Sequence, residues 1–183
     1  TGENIINEID VLTTDGVLYL TNNIGCNFVR DYGITKAYVT APNIEEIRNN
    51  SSLTVSSIGV LRYANLTLLS EDYETEEFYT NGDFILDLEV ENLNITANGF
   101  SNFFLTGSAE KTEIALYSGN SRVEAADLLI QELIVFHRST NKIIVNPQVS
   151  IVGEIRSLGD VISKNEPPVV NVVEYYTGRL IFD

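Results

Sequence analysis

The stretch SEDYETEEFYTN, residues 70–81, interleaves clustered carboxylates with aromatic rings and so has the clearest binding chemistry in the sequence. Carboxylate oxygens are the ligands that calcium takes in proteins, and an aromatic face beside polar groups suits a sugar ring. The fixed Asp, Asn and Gly spacing of a specific calcium motif is missing. We therefore interpret the stretch first as a solvated insertion, and as the alternative we hypothesise a ligand site formed by Glu71, Asp72, Tyr73, Glu74, Glu76, Glu77 and Tyr79.

A second set of polar residues recurs about every 20 residues, each one directly before an apolar residue: Asp83, Asn102, Arg122, Lys142, Asp160 and Arg179. Sugar-cleaving β-helix enzymes gather acids and bases on one outer face, and two carboxylates there would do the chemistry. Charges of mixed sign along a sheet also keep it soluble and discourage edge pairing. Because the spacing singles out no pair of carboxylates, we favour the second interpretation and assign no catalytic residue.

His137 is the single histidine of the chain, and no cysteine accompanies it. A histidine-based metal site or a Cys-His dyad therefore lacks its other members. Ser139 and Thr140 follow closely, but a triad also needs an orienting acid. We expect a hydrogen-bonded histidine at the surface or at a corner, and we expect Cys26 to be a small buried hydrophobe. The sequence thus predicts no metal site and no cofactor.

The elements that position these residues follow from an internal repeat. Apolar residues recur 18 to 20 positions apart and are entered through Gly, Ser or Asn, which favour tight turns. Two positions after each of them lies a residue that faces the same way in an extended strand. Counting one member across a longer gap, the series is Leu53, Phe84, Phe103, Val123, Ile143, Val161 and Leu180.

Each repeat also carries a second extended segment, with inward pairs at Leu66/Leu68, Leu93/Ile95, Ile114/Leu116 and Ile134/Phe136. Short strands without helical crossovers cannot build a Rossmann-like sheet. They predict an all-β, parallel β-helix-like solenoid with rungs of about 18–21 residues, stacked at about 4.8 Å and right-handed like other parallel crossovers.

The first forty residues follow a different pattern, because Asp15-Gly16 lies between two apolar runs and predicts a hairpin. A strand is expected at Tyr38–Thr40, followed by a turn at Ala41-Pro42. We predict one domain over residues 1–183, with an N-terminal cap and first coil at 1–50, rungs at 51–183 and an insertion at about 69–81.

Composition limits the partners. The chain has 183 residues, 26 acidic and 11 basic, with a formal net charge of -15. Such a charge repels phosphate backbones, which excludes nucleic acid as a partner. No apolar run approaches the roughly 20 residues of a transmembrane helix, so no such segment is expected in this chain.

Several stretches resemble the autotransporter adhesin head GIN domain family: VLTTDGVLYLTN, then CNFVRDYG, YVTAPNIEEI and the closing LGDVISKNEPPVVNVVEYYTGRLI. The resemblance runs from about Val11 to Ile181, with departures at Ser139-Thr140-Asn141 and in the longer stretch after Leu68. It implies a parallel β-helix-like domain of secreted or surface proteins of bacterial envelopes, without a catalytic motif to carry over.

We therefore expect a non-enzymatic envelope or surface domain, an adhesin that binds carbohydrate or another protein. Two alternatives stay open: a polysaccharide lyase or hydrolase acting from the outer polar column, and a structural spacer without a ligand. The expected location is secreted, periplasmic or at the cell surface, with lipid anchoring through a segment outside this chain as one route. The oligomeric state does not follow from the sequence.

Overall fold

A computed structural model describes residues 9–22, 36–73 and 80–183 of the chain. It divides into two units, Thr1–Ala41 and Pro42–Asp183, and each is described by itself. Every regular element in the described ranges is a β-strand. None of these ranges holds a helix that is long and apolar enough to cross a membrane.

The first unit contains a β-hairpin of β1 (Ile9–Thr14) and β2 (Val17–Asn22), paired antiparallel with Thr14 opposite Val17. Asp15 and Gly16 form the two-residue turn with φ values of 51° and 80°. Both residues of this turn type need positive φ, and Asp-Gly is one of the pairs that supplies it. The predicted hairpin is confirmed.

The second unit is a parallel β-solenoid of nine strands, β3 to β11. Their bounds are β3 (Glu46–Arg48), β4 (Val55–Ser70), β5 (Phe84–Ala97), β6 (Asn102–Leu116), β7 (Arg122–His137), β8 (Ile143–Ile155), β9 (Val161–Ser163), β10 (Val169–Glu174) and β11 (Leu180–Phe182). Strands β3 to β9 pair in chain order and β11 follows β9, while β10 pairs with β8. Each rung is therefore hydrogen-bonded to the rung before it.

The predicted apolar series forms one inward column. Phe84 pairs with Phe103, Phe103 with Val123, Val123 with Ile143, and Val161 joins the column next. All five side chains are fully buried, and the Phe84 and Phe103 rings stack with centroids 4.7 Å apart. Equivalent residues of parallel rungs are held one above the other, so each apolar side chain packs on the apolar side chain of the next rung. The predicted solenoid is confirmed.

Each long strand bends near its middle, and the part beyond the bend also contributes side chains to the interior. In β5 and β6 the ladder runs to Val90 and Ala109 and resumes at Asn92 and Lys111. Beyond the bend, three more inward columns build the core, and their apolar members include Leu66, Leu93, Leu133 and Ile151, then Leu68, Ile95, Ile114 and Val135, then Ala97, Leu116 and Ile155.

Three details of the predicted register are wrong. Val55, and not Leu53, pairs with Phe84, and Leu53 is exposed. In β7 the inward residues are Leu133 and Val135, so the predicted pair Ile134/Phe136 is off by one residue.

The third concerns the segment before the first coil. Residues 38–40 form no strand, and β3 at Glu46–Arg48 pairs with Thr67–Leu69 of β4 instead. Because a strand needs a neighbouring edge, the β-branched residues of 38–40 were not enough by themselves.

His137 is fully buried in the column of Leu116 and Ile155, which corrects the expectation of a hydrogen-bonded histidine at the surface or a corner. Neither ring nitrogen makes a hydrogen bond of good geometry within the described residues, although the Asn141 backbone is near enough to interact with the ring. Gly159 packs against this ring, since a Cβ there would lie 1.8 Å from the Asn141 carbonyl oxygen and 2.5 Å from Nε2. Burial lowers the pKa of His137 to about 4, although the nearby Asn141 backbone and the Asp160 carboxylate act in the opposite direction.

The inward column predicts a large contrast between neighbouring residues. Val123→Asp should lose about 1.5 to 3 kcal/mol of apolar burial and leave an unpaired buried charge, which should unfold the rungs around it. Arg122→Ala removes a partly buried ion pair with Glu124 and a hydrogen bond to Asn141 and should cost about 1 kcal/mol. Urea unfolding followed by circular dichroism measures both, and a larger loss for Arg122→Ala would contradict the register.

The buried His137 ring predicts a loss of stability in mild acid. Its pKa is about 4 when folded and 6.5 when unfolded, so the unfolded chain takes up the proton first as the pH falls. The contribution of the neutral ring is complete above pH 6.5 and should fall by about 2 kcal/mol between pH 6.5 and pH 5. Urea unfolding at pH 7, 6 and 5 measures this slope while staying above the isoelectric point of about 4.3.

The matched variant is His137→Leu, which keeps the column apolar and removes both unpartnered nitrogens. The carboxylates titrate in both proteins, so the difference in slope isolates the histidine. We expect the variant to be more stable at every pH and its stability to change less between pH 7 and pH 5. Parallel curves for the two proteins would show that the ring finds a partner when it is protonated.

Candidate functional site

The described part of the acidic stretch, residues 71–73, directly follows the end of β4. Glu71 is buried and its Oε1 pairs with Nη1 of Arg48, while its Oε2 accepts a hydrogen bond of 2.7 Å from the backbone N–H of Tyr73. Asp72 accepts a hydrogen bond from the side-chain amide of Asn98. Glu71 is thus a buried ion-pair partner that fixes the chain as it leaves the rung, and not a solvated carboxylate.

The other predicted members, Glu74, Glu76, Glu77 and Tyr79, lie outside the described residues. Within the described ranges no group of three His, Cys, Asp or Glu side chains could hold a metal ion. Of the seven residues hypothesised for a ligand site, the structure describes Glu71, Asp72 and Tyr73 side by side. Among these three, Glu71 is buried, Asp72 is partly buried and Tyr73 is exposed.

Tyr73 begins a row of aromatic rings that crosses successive rungs. Its ring meets the ring of Tyr117 edge to face, with centroids 6.1 Å apart and planes at 76°. The Tyr117 ring in turn lies 5.3 Å from the ring of Phe136. Partial burial raises the pKa of Tyr73, the interaction with Asn98 lowers it, and neighbouring Tyr117, Glu71 and Asp72 raise it further. The phenol therefore stays neutral and can donate a hydrogen bond at ordinary pH.

A guanidinium continues the row. Cζ of Arg156 lies 5.9 Å from the centroid of Phe136 and 4.2 Å from the centroid of Tyr175, within cation–π range of both. Glu154 pairs with Arg156 and raises its pKa through a hydrogen bond. The side chain is thereby held in place over the rings.

The register of the coil explains why these side chains line up. The backbone N–H of Tyr117, of Arg156 and of Tyr175 each bonds to the last inward residue of the preceding rung. A residue that follows an inward position faces outward, so Tyr117, Arg156 and Tyr175 share one outer column, in which Arg138 lies between Tyr117 and Arg156. From β4 to β10 the row crosses five rung spacings, about 24 Å.

Much of this row is open to solvent. Tyr73 is 64% exposed, Tyr175 54% and Tyr117 38%. We call Tyr73, Tyr117, Phe136, Arg156 and Tyr175 the aromatic row. Sequence reasoning found only its first member. The signal for Tyr117 was present, because it follows Leu116, an inward residue at the end of a rung, whereas Tyr175 follows the exposed Glu174.

The outer polar column, the polar series that runs from Asp83 to Arg179, aligns as the repeat predicts, but its acids make hydrogen bonds between rungs. Oδ1 of Asp83 accepts hydrogen bonds from the backbone and side-chain nitrogens of Asn102, at 2.9 and 2.8 Å. Oδ1 of Asp160 accepts one of 3.0 Å from the backbone of Arg179. The two acids are four rungs apart, about 19 Å, whereas paired catalytic carboxylates of glycosidases lie about 5 to 9.5 Å apart.

The residues around His137 form no nucleophile site. Oγ of Ser139 donates to the Ser121 carbonyl at 2.8 Å, and Oγ1 of Thr140 donates to the Gly119 carbonyl at 3.1 Å. Both hydroxyls thus bond one corner to the previous rung, and neither hydrogen-bonds to the imidazole. The prediction for Cys26 falls outside the described residues.

Comparison with known proteins places these features in a family. No curated protein matches the chain. A crystal structure of a putative adhesin from Bacteroides fragilis is similar over 99% of this chain and 79% of its own, with a TM-score of 0.84 and 21% sequence identity, which shows a shared fold. The family model described as "Putative auto-transporter adhesin, head GIN domain" matches residues 1–167. The chain therefore belongs to the auto-transporter adhesin head GIN domain family.

Proposed function

We propose that this protein is a non-enzymatic adhesin domain of the cell surface and that it binds a neutral glycan along the aromatic row. The observation that carries the proposal is the row itself, in which rings and one guanidinium contact each other across rungs over about 24 Å. Membership in an adhesin family supports an adhesin-like surface domain. The ligand and the absence of catalysis are our proposal.

The chemistry of the row suits a sugar chain. Aromatic rings combine a large apolar face with a polar tip, so they can pack against the C–H face of a sugar while Tyr hydroxyls bond to its hydroxyls. Contiguous exposed apolar surface of this kind marks interaction sites on soluble proteins. Because successive rungs of a solenoid are about 4.8 Å apart, an elongated sugar chain can contact several rungs at once.

The charge of the protein favours a neutral glycan over an acidic one. The formal net charge is -15, which repels anionic polymers at long range. Arg156 is the cation of the row, and Glu154 already neutralises it. An acidic polysaccharide would meet the exposed Arg138 of the same outer column, but also the negative charge of the whole protein.

The enzyme alternative has less support, because the acids of the outer polar column lie about 19 Å apart and are engaged by the next rung. The spacer alternative predicts no ligand for the row, and a protein partner would use the same rings without binding free sugars. The expected surface location follows the family, and lipid anchoring stays a proposal.

Single alanine variants test the row. Tyr117→Ala and Tyr175→Ala should each weaken glycan binding about five- to tenfold, since an aromatic contact contributes about 1 kcal/mol. A neutral-glycan array identifies the ligand, and isothermal titration calorimetry gives the dissociation constants. Tyr176→Ala is the matched control, because Tyr176 is adjacent and 61% exposed but has no ring contact in the row. Its affinity should equal that of the wild type.

Urea unfolding of each variant separates lost contacts from lost stability. An equal loss of affinity in Tyr176→Ala would mean that the glycan binds another surface. If no glycan on the array bound, the spacer and the protein-partner alternatives would remain. Release of reducing ends from any bound glycan would contradict the non-enzymatic assignment.

A further inference from the structure

A groove of about 420 Å³ lies on the outer face of the first half of the coil, apart from the aromatic row. Its lining comes from four consecutive strands, β4 to β7, and includes Ser57, Gly59, Ile85, Phe104, Glu124 and Asp127. Neither its residues nor its chemistry enter the function proposed above.

The groove arises where the coil departs from perfect register. Strand β4 carries extra residues between Ser56 and Val60, and Gly59 takes a φ of +77° there. On the other side, β7 carries an extra residue between Glu124 and Asp127. Strands β5 and β6 between them pair without a shift over this stretch. The bulges bend the two flanking strands, and the regular pair between them lines the middle of the groove.

The floor is apolar and the rim is acidic. Ile85 and Phe104 are neighbours in the ladder and are 51% and 40% exposed. Three carboxylates surround them, those of Asp87, Glu124 and Asp127. Glu124 pairs with Arg122, and Asp87 accepts a hydrogen bond of 3.3 Å from Thr106. The Asp127 carboxylate has neither a hydrogen-bond nor an ion-pair partner in the described part of the chain.

We infer that this groove binds a lysine or arginine side chain presented by an extended segment of a partner protein. Such a side chain has a hydrocarbon stem for the floor of Ile85 and Phe104 and a cationic head for the carboxylates. The formal net charge of -15 steers cations toward the surface. The distance from β4 to β7 is three rungs, about 14 Å, which leaves space between the two flanking strands for one extended chain.

Other ligand classes fit the groove less well. Anions are repelled by Asp87 and Asp127, since Glu124 is already paired with Arg122. The described residues hold no group of acids close enough together for a metal ion. A neutral glycan gains nothing from the charge, and the floor offers one aromatic ring where the aromatic row offers four.

The test uses the whole chain and a short peptide with lysine at alternate positions, together with the same peptide acetylated on every lysine. Amide chemical shifts in ¹H–¹⁵N spectra report where the peptide binds and how tightly. We expect shifts concentrated at Ile85, Phe104 and Thr106, and at least a tenfold loss of affinity in Asp87→Asn/Asp127→Asn. The acetylated peptide should not bind.

The control is Glu110→Gln/Glu113→Gln, which removes the same charge from exposed positions of β6 outside the groove. It should change the affinity less than twofold. Asp127→Asn alone removes the unpartnered carboxylate among the three of the groove and should lose at least threefold in affinity, so the test holds even if the double variant folds poorly.

Several results would overturn the inference. An equal loss of affinity in the control would mean that the peptide is attracted to any acidic surface of the protein. Binding of the acetylated peptide would mean that recognition does not depend on the lysine charge. Absence of localised shifts, or a neutral glycan in this groove, would also overturn it. None of these outcomes bears on the variants of the aromatic row, so the two proposals fail separately.

Discussion

The parallel backbone ladder between successive rungs is the constraint on which the rest of this structure depends. Each long strand can satisfy its N–H and C=O groups only by bonding to the rung before and the rung after it. Register then fixes which side chains face inward, because one residue of slip turns every face over. The stacked rings of Phe84 and Phe103, the aromatic row and the groove all follow from that one alignment.

Much of the fold follows from the sequence because a repeat reports the ladder directly. Phe103, Val123 and Ile143 stand at equal spacing and fill one column. The errors come where spacing stops being informative. Leu53 lies before an irregular gap, and Ile134 is an apolar residue that faces solvent, 50% exposed. Apolar character alone cannot distinguish two adjacent residues when both are hydrophobic, and the ladder on the neighbouring rung decides.

The candidate sites were harder to predict, since they depend on which rungs are adjacent rather than on local motifs. Tyr73 was found as part of an acidic stretch, yet its contact is Tyr117, two rungs further along the coil. His137 was expected to be hydrogen-bonded at the surface or a corner, but the last inward column buries it. The groove was not predicted because it forms where Gly59 and the bulge of β7 interrupt the repeat. The regular ladder builds the core, and the interruptions of the ladder form the groove.

Disulfide cross-linking between rungs tests the register most directly. Glu113 pairs with Ile134 across β6 and β7, so cysteines at these outward positions should lie about 4.8 Å apart at their Cα atoms, within the range that a disulfide accepts. In a Cys26→Ser background, mild oxidation should cross-link Glu113→Cys/Ile134→Cys within the monomer, as intact mass and thermal stability would show. Cross-linking of Glu113→Cys/Leu133→Cys instead would contradict the register, and with it the inward columns and both proposed surfaces.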